Sequence, residues 1–125
     1  MELSTTALLI QGIFSAFEPL NLGLLIFGCL VGLFVGAMPG LGSVNGVAIL
    51  IPITFIVPPT AAIIFLAAVY YGAMYGGAIS SVMLGIPGAS TAVATVFDGR
   101  PLAQKGEAMT SLTAAAVGSF VGGTV

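Results

Sequence analysis

Histidine and tryptophan are absent from this sequence of 125 residues, and cysteine occurs once, at Cys29. With no His and one Cys, the chain cannot assemble a Cys/His cluster for a transition metal, nor an internal disulfide. Cys29 lies among apolar residues and reads as a small buried side chain. Charge is scarcer still, at 5% of residues, against about 25% in a soluble domain. Between Glu18 and Asp98 there is no Asp, Glu, Lys, Arg or His at all. No His, no intramembrane carboxylate and no nearby Lys is available to activate Ser43, Ser80, Ser90 or Ser111, and a serine without a base is not a nucleophile. An enzyme is therefore disfavoured. Two basic residues make no patch for nucleic acid. A net charge of −2 that rests on six residues says little about partners.

What fills the gap is apolar, and the mean hydropathy of the chain is +1.22. A spanning helix needs about 20 apolar residues, so residues 19–97 hold three passes, or two passes and a re-entrant hairpin. The chain is expected to be an all-α integral membrane protein, with polytopic helices interrupted by broken or re-entrant half-helices. The N-terminus carries Glu2 and Glu18 but no Lys or Arg before residue 21, so it lacks the basic region of a secretory signal. The last residues, Gly122-Gly123-Thr124-Val125, fall inside an apolar run. A fragment of a longer membrane protein is the expectation, and a small complete protein the alternative.

Glycine and proline divide this apolar sequence. Residues 3–17 are short for a span and suit a helix in the membrane interface or docked on a neighbour. Residues 1–20 are accordingly set apart from a membrane domain over 21–125. Glu18-Pro19-Leu20-Asn21 breaks the chain, with Asn21 as the expected N-cap of a helix over 22–38. Gly28, Gly32 and Gly36 recur every fourth residue on one face, which lets another backbone approach closely. Met38-Pro39-Gly40-Leu41-Gly42-Ser43 then ends the helix, because Pro lacks a donor and Gly permits backbone angles closed to other residues. An apolar run over 44–57 is too short for a comfortable span. Pro52 should interrupt it, and Pro58-Pro59 ends it.

The longest helix is expected over 61–85, capped by Thr60. It carries Tyr70, Tyr71 and Tyr75, read first as packing or interface anchors, and Gly72 and Gly76 at the same spacing of four. A second break, Gly85-Ile86-Pro87-Gly88-Ala89-Ser90-Thr91, echoes the first. Asp98-Gly99-Arg100-Pro101 reads as a turn, and Gln104-Lys105-Gly106-Glu107 closes the hydrophilic loop. The two basic residues, Arg100 and Lys105, place that loop in the cytoplasm by the positive-inside rule. A last apolar segment starts at Ala108, with Gly118 and Gly122 four apart.

Two Pro-Gly breaks, each followed by hydroxyls, point to a binding site. Non-helical backbone at membrane depth is tolerated where it is buried or lines a cavity, and transporters bind substrates there. Half-helices starting after Gly42 and after Gly88 present unpaired N–H groups and partial positive charge, which favour an anion. The expected carboxylate site comprises Pro39, Gly40, Leu41, Gly42, Ser43 and Asn45 at the first break, with Gly88, Ala89, Ser90 and Thr91 at the second. The preceding helix ends offer the carbonyls of Gly36, Met38, Gly85 and Pro87 to Na⁺ as a coupling ion. No other cofactor is expected.

These residues resemble a known family. Gly28-x3-Gly32-x3-Gly36-x2-Pro39-Gly40-Leu41-Gly42 is similar to the signature of the TctA family, the large membrane subunit of tripartite tricarboxylate transporters. Leu50-Ile51-Pro52-Ile53-Thr54-Phe55, Tyr70-Tyr71-Gly72-Ala73-Met74-Tyr75-Gly76-Gly77, Ile86-Pro87-Gly88 and Phe97-Asp98-Gly99-Arg100-Pro101 agree with it in order. The resemblance implies a multi-pass bacterial inner-membrane carrier, several times longer than this chain, with two halves of inverted topology. It implies a small membrane subunit and a periplasmic solute-binding protein as partners. It implies cation-driven symport of citrate-like tricarboxylates, dicarboxylates or aromatic acids. A non-transporting scaffold, whose glycine faces dock partner helices, is the alternative.

Overall fold

The computed structural model describes residues 4–125 and is built of helices joined by short turns. Six α-helices run in order: α1 Thr5–Ala16, α2 Pro19–Ala37, α3 Gly42–Leu50, α4 Pro59–Leu84, α5 Val93–Gln104 and α6 Ala108–Thr124. Two 3-10 turns intervene, Ile51–Phe55 and Ser90–Ala92. The expected all-α membrane protein is what the chain forms. α2 and α4, of 19 and 26 residues, are long and apolar enough to cross a bilayer. The interfacial segment expected over 1–20 begins in residues 1–3, outside the described residues. The remainder of it is mostly α1, none of whose residues is buried.

Several helix ends differ from expectation, each for a local reason. α2 starts at Pro19, with Glu18 in the N-cap position. Proline's fixed φ suits the first helical residue, where a missing N–H costs nothing. Asn21 is thus not the cap. It lies inside the first turn, 4% exposed, and its Nδ2 donates to the Ser15 carbonyl at 2.6 Å. That bond joins α2 to the end of α1. For the same reason α4 begins at Pro59 after Pro58, so Thr60 is inside the helix and does not cap it. Pro52 does interrupt α3, which passes into a 3-10 turn at Ile51.

Asp98-Gly99-Arg100-Pro101 is not a turn. All four residues are helical within α5. Pro101 removes one N–H from the ladder, but Gly99 is buried against α4 and α6, and with that packing the helix continues through Pro101 to Gln104. The chain reverses five residues later, where Gly106 takes φ +83°.

The core is the contact of α2 with α4, and backbone makes most of it. A methyl added to Gly28 would lie 2.8 Å from the Phe65 carbonyl oxygen. One added to Gly32 would strike the Val69 carbonyl, and one on Gly36 the Ala73 carbonyl. The arrangement is reciprocal, since Gly72 faces the Cys29 carbonyl and Gly76 the Leu33 carbonyl. Five glycines on two facing stripes therefore bring the helix backbones into direct contact, where dispersion and Cα–H···O contacts act. Phe65, Val69 and Val82 are fully buried along α4. The Phe27 ring stacks on Phe65 with centroids 6.1 Å apart.

Candidate functional site

The close α2–α4 contact determines where the first break falls. α2 ends at Ala37, and its Met38 cap has extended backbone. Gly40 and Gly42 then take φ +89° and +68°, angles that cost an L side chain roughly 1–2 kcal/mol. Two left-handed glycines within three residues turn the chain from one helix into the next through the short turn of residues 38–41. α3 packs back on α2, where a methyl on Gly46 would lie 2.7 Å from Val35 Cγ1. The α3 N-terminus has no side-chain cap. Its first N–H groups have no intrahelical partners, and they carry the positive end of the helix dipole.

The second break begins with Gly85 at φ +72°, ending α4 in a left-handed cap whose N–H donates to the Ser81 carbonyl at 3.1 Å. After Pro87 the chain returns to the helix pair. A methyl on Gly88 would lie 2.7 Å from the Gly36 carbonyl oxygen, 2.7 Å from Gly77 Cα and 2.8 Å from Ser80 Oγ. A methyl on Gly42 would sit 3.5 Å from the Gly88 carbonyl oxygen. The two breaks, 46 residues apart by the numbers of Gly42 and Gly88 (88 − 42 = 46), thus meet at the end of α2.

The other candidate residues divide by burial. Ser43 is 5% exposed beside Gly42. Gly88 is buried, while Leu41, Gly42, Ala89 and Pro87 are half-buried. Pro39, Gly40, Asn45, Ser90 and Thr91 are exposed. The helix after the second break opens with a 3-10 turn, Ser90–Ala92, so α5 begins only at Val93. Ser90 and Thr91 belong to that turn and not to an α-helical first turn. Of the carbonyls considered for Na⁺, that of Gly36 faces Gly88. That of Met38 accepts from the Leu41 N–H at 3.4 Å. At Gly85 the Arg100 side chain packs with Cδ and Nε 3.4 Å from an added methyl, and the guanidinium donates to the Met83 carbonyl. A fixed positive charge therefore already stands at the α4 C-terminus. Among the described residues no group of three His, Cys, Asp or Glu side chains comes together.

Thr91 also borders a cavity of about 570 Å³ between α4 and α6, whose lining includes Tyr70, Tyr71, Met74, Thr95 and Ser119. Tyr75 closes one side, its hydroxyl donating to the Leu112 carbonyl at 3.0 Å. Residue type alone favoured packing for these tyrosines. Their spacing put Tyr71 and Tyr75 on one face, but nothing in the sequence said that α6 would come opposite.

Residues 22–125 match the model of the family described as "Tripartite tricarboxylate transporter TctA family". The chain belongs to that family. The match takes in both breaks, all of α4, and α2 from Leu22 onward. A protein of Agrobacterium vitis, described as "Uncharacterized 52.8 kDa protein in TAR-I ttuC' 3'region", is 40% identical over 114 residues. Those residues are 91% of this chain and 23% of that protein, so this TctA sequence spans about a quarter of the relative's length. No solved structure matches the chain. The family so described is one of transporter components rather than of enzymes.

Proposed function

We propose that this chain supplies one half of a carboxylate site in the large membrane subunit of a cation-coupled organic-acid importer. The observation that carries the proposal is the meeting of the uncapped α3 N-terminus with Gly88 of the second break. Unpaired N–H groups in a low-dielectric setting attract an anion without a buried cation. Residues 19–97 offer no cation, so backbone recognition is the available chemistry. Gly40, Leu41, Gly42 and Ser43 would hold one carboxylate, with Pro39 ending α2 and Asn45 at the exposed edge. Gly88, Ala89, Ser90 and Thr91 would form the facing wall. For a coupling Na⁺ we assign the α2 end, at Gly36 and Met38, ahead of Gly85 and Pro87, where Arg100 already supplies positive charge.

In the full-length protein, the corresponding second half, a small membrane subunit and a periplasmic binding protein would complete the system in the bacterial inner membrane. There α2 and α4 span, α3 stops part-way and α1 lies at the interface. α3 with its 3-10 turn covers about 24 Å at ordinary helical rises, short of the hydrocarbon core of about 30 Å. For the scaffold alternative, the glycine faces of α2 and α4 are already packed on each other, while Gly118 and Gly122 of α6 stay open.

The test is uptake of labelled citrate, succinate and benzoate by the full-length transporter with its binding protein, with and without a sodium gradient. Gly88→Leu should abolish uptake while the protein still inserts. Uptake at the parent rate would overturn the proposal.

A further inference from the structure

The segment Asp98-Gly99-Arg100-Pro101 is left over from the site described above, yet its contacts converge on the second break. Gly99 is buried, and a methyl there would lie 2.7 Å from Val82 Cγ2 and 2.9 Å from Ser111 Oγ. Only a residue without a side chain lets α5 come this close to the last turns of α4 and to α6. That approach delivers the next residue, Arg100, to the α4 C-terminus. There its guanidinium donates to the Met83 carbonyl, and its stem lies over the left-handed Gly85. The last carbonyls of a helix have no partners within it and carry partial negative charge. Unsatisfied carbonyls are costlier still in an apolar setting. A guanidinium answers both needs with a charge-assisted bond.

We propose that Gly99 and Arg100 form a clasp that closes the loop from Met83 to Arg100 and so fixes the second break. Arg100 is a positioning residue. It holds the chain on which Gly88–Thr91 sit, and makes no contact with a ligand itself. The two ends of this loop are 17 residues apart. Within it, Gly88 is seated against Gly36 and Gly77, and Ala92 is 6% exposed. With the clasp open, that seating would rest on the glycine contacts, the packing of Ala92 and the Thr91 contact with Met74. The consequence for uptake depends on the carboxylate reading above, whereas the clasp itself does not.

The experiment uses the full-length transporter with its other cysteines, Cys29 included, replaced and one reporter introduced by Ala92→Cys. N-ethylmaleimide labels the reporter, and the rate is compared across Arg100 variants of equal membrane abundance. Arg100→Met keeps the stem over Gly85 and removes the donors. It should raise the labelling rate about ten-fold, the scale of one lost charge-assisted hydrogen bond. Arg100→Lys keeps a cationic donor and should stay nearer the parent than Arg100→Met. In uptake, Arg100→Met should raise KM by a similar factor with kcat changed less, and Arg100→Lys should restore part of it. Equal labelling rates in parent and Arg100→Met overturn the clasp. If Arg100→Met fails to accumulate, Arg100→Gln is read against the parent in the same way, and equal rates there overturn it too. Faster labelling of Arg100→Met than of the parent, in a system whose parent transports no carboxylate at any concentration, would keep the clasp and defeat the transport reading instead.

Discussion

The glycine stripe of α2 allows a graded prediction. Replacing Gly23, Gly28, Gly32 and Gly36 singly by Ala adds the same methyl to one helix in four surroundings. At Gly23 nothing lies within 4 Å. At Gly28 the closest atom is the Phe65 carbonyl oxygen at 2.8 Å, and one of the next is a ring carbon that can move. At Gly32 the new methyl strikes the Val69 carbonyl, with Ala73 N at 3.0 Å behind it. At Gly36 it meets the Ala73 carbonyl, with Ala73 C and Cα both at 2.6 Å. Backbone cannot rotate away, so reaching an ordinary C···O separation of about 3.3–3.6 Å at Gly32 or Gly36 requires the helices to part by roughly an ångström or more. Two effects oppose each other. Ala is about 1 kcal/mol better than Gly inside a helix. An extra methyl in a tight contact costs about 1–3 kcal/mol. Helix propensity should win at Gly23, and the two should nearly cancel at Gly28. Overpacking should win at Gly32 and Gly36, with a net loss of about 1–2 kcal/mol. The assay is thermal survival of the full-length protein in mild detergent, followed by size exclusion. The expected order of stability is Gly23→Ala, then Gly28→Ala, then Gly32→Ala, with Gly36→Ala lowest. A flat series, or Gly36→Ala surviving as well as Gly23→Ala, would refute the backbone-contact account of the core.

Three further outcomes follow from single contacts. Asn21→Ala removes the bond to the Ser15 carbonyl and should cost about 1 kcal/mol, seen as faster proteolysis between α1 and α2; unchanged cleavage would mean that α1 is held by something else. Tyr75→Phe deletes the donor to the Leu112 carbonyl and should speed amide exchange in α6 about five-fold, matching a loss of about 1 kcal/mol, with α2 amides unaffected. Gly42→Ala should lose more stability than Gly42→Asn despite its smaller side chain, because the position has φ +68° and Asn tolerates that region; the reverse order would point to steric crowding rather than backbone strain.

Much of the fold was legible because its signals are local. A charge-free interval marks the membrane, and a period of four in glycine marks a helix face made for close approach. Glycine-rich interruptions after α2 and α4 could be placed from the sequence, and Gly40, Gly42 and Gly85 take left-handed angles there, although Gly88 of the second Pro-Gly does not. What could not be read are the partners of these features. Nothing along the chain says that Gly36 opposes Ala73, or that Gly88 returns to the end of α2, since such pairings come from packing in three dimensions. Asn21 misled because its type favours caps, whereas a proline two residues earlier claimed the helix start. Asp98-Gly99-Arg100-Pro101 misled because turn-forming residues were held in a helix by contacts with Val82, Ser111 and Met83. The tyrosine-lined cavity needed α6 to be placed against α4 before it existed at all.

Whether the α3 N-terminus favours an anion can be asked without any ligand, by tethering one. Ser43 is the second residue of α3, 5% exposed and next to Gly42. Ser43→Asp would put a carboxylate there, and Ser43→Asn a neutral group of nearly the same shape. Burying an uncompensated carboxylate costs several kcal/mol, so in a neutral pocket Ser43→Asp should be much less stable than Ser43→Asn. At a helix N-terminus the balance shifts, because unpaired N–H groups and the dipole favour negative charge by about 0.3–1 kcal/mol on a surface and about 2 kcal/mol when partly buried. If the N–H groups of α3 are poised for a carboxylate, the tethered one satisfies them. The full-length Ser43→Asp protein should then match or exceed Ser43→Asn in thermal survival, and it should lose uptake because its site is already filled. A Ser43→Asp protein less stable than Ser43→Asn by 2 kcal/mol or more, on the order of the unpaired-charge cost, would show that the break does not favour anions. The carboxylate site would then have to be sought elsewhere in the transporter.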